Sequence, residues 1–194
     1  MSARFEAAAV PLGARVKHAS RVSGGDVNET YRVTLDDGRV VFAKTHASPP
    51  DDMYAAEVDG LAFLAEGPLR VPRVLACTND VLFLEWLEPA PRVRDFDERL
   101  GRGLAALHRS PTRFGHLRNN FIGPLPQDNT PAADWPTFYA ERRLLPMLAR
   151  ARADAALRRR FDRLVVRLPE LVGAPEPAAR LHGDLWGGNL HVDE

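Results

Sequence analysis

Short runs of alternating hydrophobic and polar residues fill the first ninety positions, and turn signals separate them. An Asp-Asp-Gly turn at residues 36–38 joins two of these runs, because Asp-Gly tolerates positive φ. An apolar stripe at helical spacing over residues 51–66 predicts a helix, and a shorter helix ends at Pro11 and Gly13. Strands are predicted at residues 14–23, 29–35, 40–45, 71–77 and 81–87. This part of the chain therefore reads as an antiparallel sheet with helices.

The pattern changes after Pro89 and Pro91, where the strand signals stop and helical periodicity begins. This change predicts an α+β lobe over residues 1–88 and a mostly helical lobe over residues 89–194. The predicted fold class is therefore α+β, with the sheet confined to the N-terminal lobe.

Three helices are predicted in the second lobe, over residues 95–108, from Trp135-Pro136 onwards, and over residues 154–168. Asp134 has the position and chemistry of an N-cap for the second of them, which Pro146 is expected to kink or end. Residues 110–134 show no clear period and are rich in proline and glycine. They predict a long loop, and long loops in compact domains are often functional.

Composition narrows the class of protein further. Hydrophobic residues make up 45% of the 194 positions and charged residues 27%, as in ordinary globular proteins, which excludes a wholly disordered chain. The 26 basic and 26 acidic residues give zero net charge, so no global field attracts nucleic acid or an anionic membrane. No apolar run reaches the ~20 residues that span a bilayer. The single cysteine, Cys77, excludes an internal disulfide and predicts a cytoplasmic location.

The main chemical signal is His182-Gly183-Asp184, with Asn189 five residues after the aspartate. Phosphoryl transfer from ATP to a hydroxyl needs a carboxylate that accepts the proton, together with oxygen ligands for Mg²⁺. A tight loop over residues 181–190 offers both. The alternative is a glycine-rich turn in which the two side chains cap backbone groups. The features that follow favour the functional interpretation, because they have the spacing of kinase motifs.

Lys44 lies in an apolar strand, where the kinase pattern places the lysine that holds the α- and β-phosphates. Only Lys17 and Lys44 among the 26 basic residues are lysines, so a lysine at this position is less expected by chance. Glu57, 13 residues later on the predicted helix, is an anion that can hold the ammonium group. The alternative is a lysine on a solvated strand face and a surface charge on the helix.

Two further segments fit a nucleotide site. Gly24 and Gly25 lie in the first turn of the sheet, where backbone N–H groups can approach phosphate. Residues 84–87, Leu-Glu-Trp-Leu, end the fifth strand, where extended backbone can pair with an adenine edge. A plain hairpin loop and a strand end running into a linker are the alternatives.

Together these residues resemble the fructosamine/ketosamine-3-kinase family, relatives of the aminoglycoside and choline kinases. The most family-specific stretch is Asn-Asn-Phe-Ile-Gly-Pro-Leu-Pro-Gln-Asp-Asn at residues 119–129. Asp134-Trp135-Pro136 follows it, and the Leu-Trp pair after Asp184 narrows the match from the wider kinase-like superfamily to this family.

The resemblance implies a protein-kinase-like two-lobe fold and ATP-dependent phosphorylation of the 3-hydroxyl of a ketosamine, the sugar adduct that glycation leaves on a small-molecule or protein amine. The phosphorylated product is unstable and falls off, so the activity amounts to protein repair. The implied roles are catalytic base for Asp184, Mg²⁺ ligand for Asn189, nucleotide binding for Gly24, Gly25, Lys44, Glu57, Leu84, Glu85 and Trp86, and substrate binding for Trp186, Asn120 and Gln127.

The chain departs from the family pattern at two places. Some relatives carry a redox-active cysteine in the glycine-rich turn, where this chain has Asp26. Relatives also continue through a strand that ends in Asp-Pro, whose aspartate binds a second Mg²⁺, whereas Asp193 and Glu194 have no such context. The helical lobe is therefore expected to be truncated. Two alternatives stay open: a kinase for aminoglycosides or amino alcohols, and an inactive fragment that binds nucleotide.

Overall fold

A computed structural model describes residues 3–22 and 28–193. The chain divides into two compact units. The sheet unit comprises residues 1–107 together with 181–194, and the helical unit comprises residues 108–180. The lobe boundary near residues 88–92 stays a prediction.

The sheet unit is built on five antiparallel strands in the order β1-β2-β3-β5-β4. The strands are β1 (Val16–Val22), β2 (Glu29–Leu35), β3 (Val40–Thr45), β4 (Val74–Cys77) and β5 (Val81–Glu85). The helices of this unit are α1 (Ala3–Ala9), α2 (Met53–Ala65) and α3 (Phe96–His108). The predicted antiparallel sheet is confirmed, and β2 and β3 have the predicted bounds.

The sheet buries a different apolar cluster on each face, because side chains along a strand point alternately to opposite faces. One cluster packs against α1 through Phe5, whose ring lies 5.2 Å from that of Tyr31. Its buried members are Phe5, Ala8, Ala9, Val16, Val33, Leu35, Val41, Ala43, Ala76, Val81 and Phe83. The other cluster joins Leu82 and Leu84 of β5 to Tyr54 of α2, with Phe42 of β3 against them.

The helical unit contains a small hairpin and three helices. Its elements are β6 (Asn120–Ile122), β7 (Leu125–Gln127), α4 (Trp135–Tyr139), α5 (Leu145–Arg150) and α6 (Ala155–Leu171). The hairpin lies in the stretch predicted as loop. Asp134 caps α4 as predicted, since its Oδ1 accepts from the Thr137 N–H at 2.8 Å.

Pro146 does not end the helix that begins at Trp135. Helical backbone continues to Arg150, and the irregularity expected at the proline takes the form of a π-helical turn over Ala140–Leu144. Pro146 lies in the first turn of α5, where its missing N–H costs little. None of the helices in the described residues is both long and apolar enough to cross a membrane.

Candidate active site

Lys44 and Glu57 form a short ion pair between β3 and α2. The Lys44 Nζ donates to the Glu57 Oε1 at 2.6 Å, and the side chains are 23% and 28% exposed. Lys44 shares its sheet face with Phe42, two positions earlier, so it points to the side that α2 covers. The pairing predicted from the sequence is therefore present, and neither side chain lies on a fully solvated face.

Tyr54, one turn before Glu57, anchors α2 in a way that the sequence did not indicate. Its buried ring packs on Leu82 and Leu84, and burial raises the pKa of its hydroxyl. That hydroxyl donates to the Asn28 Oδ1 at 3.1 Å, at the start of β2. The helix that carries Glu57 is therefore tied to the chain directly after the glycine-rich turn.

Asp184 and Asn189 lie together in the loop that the sequence singled out. The Asn189 Nδ2 donates to the Asp184 backbone oxygen at 2.8 Å and to its carboxylate Oδ2 at 3.0 Å. A 3₁₀ turn over Gly187–Asn189 sets this spacing, closed by the Asn189 N–H donating to the Trp186 oxygen at 2.9 Å. Both side-chain hydrogen bonds use the Asn189 amide donors, which leaves its Oδ1 as an oxygen ligand.

Glycines shape the same loop. Gly183 has φ of +87°, which L side chains rarely adopt. A Cβ at Gly188 would lie only 2.4 Å from the Trp186 Cη2, because the indole ring covers that glycine. Trp186 is 58% exposed, so its ring presents an apolar face to solvent in the loop that carries Asp184.

The predicted adenine-lining residues at the end of β5 differ in what their side chains contact. Leu84 is buried against Tyr54 and Phe42. The Trp86 ring lies 6.5 Å from that of Phe42, and its Nε1 donates to the Glu88 carboxylate at 2.6 Å. The Leu84 side chain therefore packs in the core, and the Trp86 side chain is hydrogen-bonded to Glu88. The backbone is the part of this segment that is suited to an adenine edge.

The Glu85 carboxylate is held by arginines. Arg73 donates to it from its backbone N–H at 3.0 Å and from its Nε at 2.9 Å, and the Arg70 Nη2 lies 3.7 Å from the Glu85 Oε1. Burial on its own would raise the pKa of Glu85, but the hydrogen bonds and charges of the two arginines outweigh it and lower the pKa. Glu85 is therefore an ionised anchor, 12% exposed, immediately before Trp86.

Asn120 and Gln127 lie in the helical unit, opposite each other in the β6–β7 hairpin. The Asn120 Oδ1 accepts from the Nδ2 of Asn129, which is only 3% exposed. The hairpin is thus fixed to a buried polar residue that was not among the predicted site residues.

Arg143 completes that partly buried network. Its Nη2 donates to the Asn129 Oδ1 and its Nη1 to the Asp128 backbone oxygen at 2.8 Å, while burial lowers the pKa of the guanidinium. A glycine at position 115 allows the close approach of residue 129, because a Cβ there would lie only 2.6 Å from the Asn129 backbone oxygen. Nothing in the sequence distinguished Arg143 from the many surface arginines around it.

The remaining predicted residues are distributed as follows. Gly24, Gly25, Asp26 and Glu194 lie outside the described residues. Within the described ranges, no group of three or more His, Cys, Asp or Glu side chains is arranged to hold a metal ion. The Asn189 Oδ1 supplies an oxygen donor, which fits Mg²⁺, because this ion usually takes one or two protein oxygens and completes its shell with phosphates and water.

Comparisons with known proteins agree on one family. A family model described as fructosamine kinase matches residues 3–194. A probable ketoamine kinase from Thermus thermophilus is 39% identical over 171 residues, which are 87% of this chain and 60% of the relative. The chloroplastic protein-ribulosamine 3-kinase of Arabidopsis thaliana is 33% identical over 187 residues, 89% of this chain and 56% of the relative. The chain thus spans about three-fifths of the length of these curated relatives.

Solved structures give the same result for the fold. A crystal structure from Thermobifida fusca, assigned as a fructosamine-3-kinase, is 35% identical with a TM-score of 0.85, and the match covers 97% of this chain and 69% of that one. A macrolide 2'-phosphotransferase is 19% identical with a TM-score of 0.57, covering 98% and 66%, and shares the fold alone. The kinase-like fold predicted from the sequence is confirmed.

Proposed function

The chain belongs to the fructosamine kinase family, and from this premise we propose that the whole protein is an ATP-dependent ketosamine 3-kinase. It transfers the γ-phosphoryl group of ATP to the 3-hydroxyl of ribulosamine or fructosamine adducts on small-molecule or protein amines. The observation that carries the proposal is the hydrogen-bonded Asp184–Asn189 loop, because it sets a proton acceptor beside an oxygen ligand for a metal ion. A cytoplasmic location stays a prediction.

Lys44 binds the phosphates in this proposal. Its ammonium group has three donors, and the Glu57 bond at 2.6 Å uses one, which leaves two for phosphate oxygens. Glu57 fixes the direction of the side chain and balances its charge when no nucleotide is bound. The glycines at residues 24 and 25 would add backbone donors, and the backbone of residues 84–86 would face the adenine.

Asp184 acts on the acceptor. The Asn189 amide holds the Asp184 Oδ2, so the other carboxylate oxygen is the one that accepts the proton of the 3-hydroxyl. As that proton moves to Asp184, the hydroxyl oxygen bonds to the γ-phosphorus and the bond from phosphorus to the bridging oxygen of ADP breaks. General-base catalysis of this kind contributes roughly 10²–10⁴ in rate.

Asn189 would hold Mg²⁺ through its Oδ1, which its two amide hydrogen bonds leave available. When bound, the ion neutralises charge on the β- and γ-phosphates. Asn189 belongs to an exposed loop, so it is accessible to a nucleotide-bound metal.

Trp186 would bind the sugar. Its exposed ring lies over Gly188, in the loop that carries Asp184. The C–H face of a ketosamine would pack on this ring while a hydroxyl reaches the Asp184 carboxylate. The resemblance also assigns Asn120 and Gln127 to substrate binding, because they belong to the family-specific stretch at residues 119–129.

The test is acceptor-dependent ADP release, measured with a ribulosamine on a small amine, an aminoglycoside and choline. We expect release with the ribulosamine, a loss of about 10²–10⁴ in Asp184→Asn, and unchanged release in the matched surface variant Asp162→Asn. Faster release with the aminoglycoside or choline would favour a different small-molecule kinase. Nucleotide binding without turnover on any acceptor would favour an inactive nucleotide-binding protein.

A further inference from the structure

Arg70 joins two parts of the candidate site that are far apart in sequence. It lies between α2 and β4, and its guanidinium contacts two carboxylates. The Arg70 Nη2 is 3.7 Å from the Glu85 Oε1, and its Nη1 is hydrogen-bonded to the Asp193 Oδ2. Glu85 directly precedes Trp86 at the end of β5, and Asp193 follows Asn189 by four residues.

A backbone contact lies beside this ion pair. The Ala90 N–H donates to the Val192 oxygen at 2.8 Å, so the segment after β5 pairs with the segment after the Asp184–Asn189 loop. Arg70 and the backbone bond therefore link the same two segments, and both links lie within the sheet unit.

The segment that carries Arg70 is packed closely against α3. A Cβ at Gly67 would lie 2.5 Å from the Leu107 Cδ1, and a Cβ at Gly103 would lie 2.3 Å from the Leu69 Cδ2. Contacts this close fix the backbone that leads into the arginine. The Arg70 guanidinium is thus a planar donor group on a rigid backbone segment, and its several N–H groups can contact two carboxylates at once.

We propose that Arg70 is a positioning residue for phosphoryl transfer, which holds the adenine-side end of β5 and the Asp184–Asn189 loop in one arrangement. The inference rests on the proposed function for its catalytic meaning. The Arg70 side chain is 56% exposed, so its ion pairs contribute little to global stability. Its effect is therefore on the local order of the loop and on metal-assisted nucleotide binding.

The first arm of the test needs no ligand. Hydrogen exchange is measured in the wild-type chain, in Arg70→Gln and in Asp193→Asn, which removes the same ion pair from its other side. We expect the Ala90 amide and the amides of residues 185–193 to exchange about three- to tenfold faster in both variants. Arg39→Gln, which removes an exposed ion pair at the β2–β3 turn, is the matched control with unchanged exchange at these sites. Wild-type exchange in Arg70→Gln would overturn the inference.

The second arm measures ADP affinity with and without Mg²⁺. In Arg70→Gln the gain in affinity on adding Mg²⁺ should fall about three- to tenfold, with the Mg²⁺-free affinity unchanged and partial recovery in Arg70→Lys. An equal loss with and without Mg²⁺ would mean a general structural role and would overturn the positioning role. If exchange is faster in the variants but the wild-type chain binds no Mg²⁺–ADP, the proposed function fails. Arg70 is then a structural ion-pair residue only.

Discussion

Lys44 and Glu57 depend on each other for a defined position between β3 and α2, since their 2.6 Å ion pair is only partly exposed. Lys44→Ala should weaken productive ATP binding, and Glu57→Ala should weaken it less, because Glu57 acts by orienting the lysine. The double variant should be little worse than Lys44→Ala, with a coupling free energy of about 0.5–3 kcal/mol. ADP titration calorimetry on the four proteins measures this coupling, and additive losses would show that the pair does not act as a unit.

Glu85 gives the sheet unit a specific dependence on acid. Its pKa in the folded chain is lowered from the ordinary value of 4.5. The stabilisation by the hydrogen bonds from Arg73 is therefore complete above the unfolded-state pKa and is lost as the pH falls through the lower, folded-state pKa. In Glu85→Gln the free energy of unfolding should vary less with pH below about 4.5. Urea unfolding at several pH values checks this; equal slopes in both proteins would contradict the assigned ion pairs.

Gly188 and its neighbour Gly187 provide a matched pair of substitutions. A Cβ at position 188 would meet the Trp186 ring, whereas a Cβ at position 187 has no atom within 4 Å. Gly188→Ala should therefore displace the ring and raise the KM for the ketosamine by roughly tenfold, the scale of a lost apolar sugar contact. The KM for ATP should change little. Steady-state kinetics with each substrate varied decides the point, and equal effects of the two substitutions would remove Trp186 from the sugar site.

We expect the β6–β7 hairpin to depend on the partly buried Asn129–Arg143 network more than on its own short ladder. The π-helical turn brings consecutive arginines to one loop: Arg142 lies 3.4 Å from the Asp128 carboxylate, and Arg143 reaches Asn129. Asn129→Ala leaves the half-buried guanidinium without this acceptor and should destabilise the helical unit by about 1–3 kcal/mol. Thermal unfolding measures the loss, with Asn79→Ala in an exposed turn as the control. An effect no larger than that of the control would rule the network out as the support of the hairpin.

The elements that the sequence predicted best are those with strong local signals. The strands β2 and β3 were found with their bounds because alternation and the Asp-Asp-Gly turn agree. The hairpin was missed because three-residue strands with Pro126 inside show no period. The π-helical turn was missed as well, since the identity of Pro146 predicts an irregularity but not its form.

The residues of the candidate site also fall into those that the sequence predicted and those that it did not. Spacing within one loop predicted that Asp184 and Asn189 would meet, and the kinase pattern predicted the pairing of Lys44 with Glu57. The roles of Arg70 and Arg143 could not be predicted, because long-range packing selects them from 24 arginines of similar local context.

The chain combines a sheet unit with a helical unit that carries the family-specific stretch at residues 119–129. Among the predicted substrate-binding residues, Trp186 belongs to the sheet unit, and Asn120 and Gln127 belong to the helical unit. The proposed substrate class is best tested on the chemical product itself.

Phosphorus NMR of an early reaction mixture containing ATP, Mg²⁺ and a ribulosamine tests the central proposal most directly. The account predicts a new phosphomonoester signal, split into a doublet by the single proton on C3, which is absent with Asp184→Asn and with an aminoglycoside acceptor. A monoester formed on the aminoglycoside, or inorganic phosphate whose release does not depend on the ribulosamine, would contradict it.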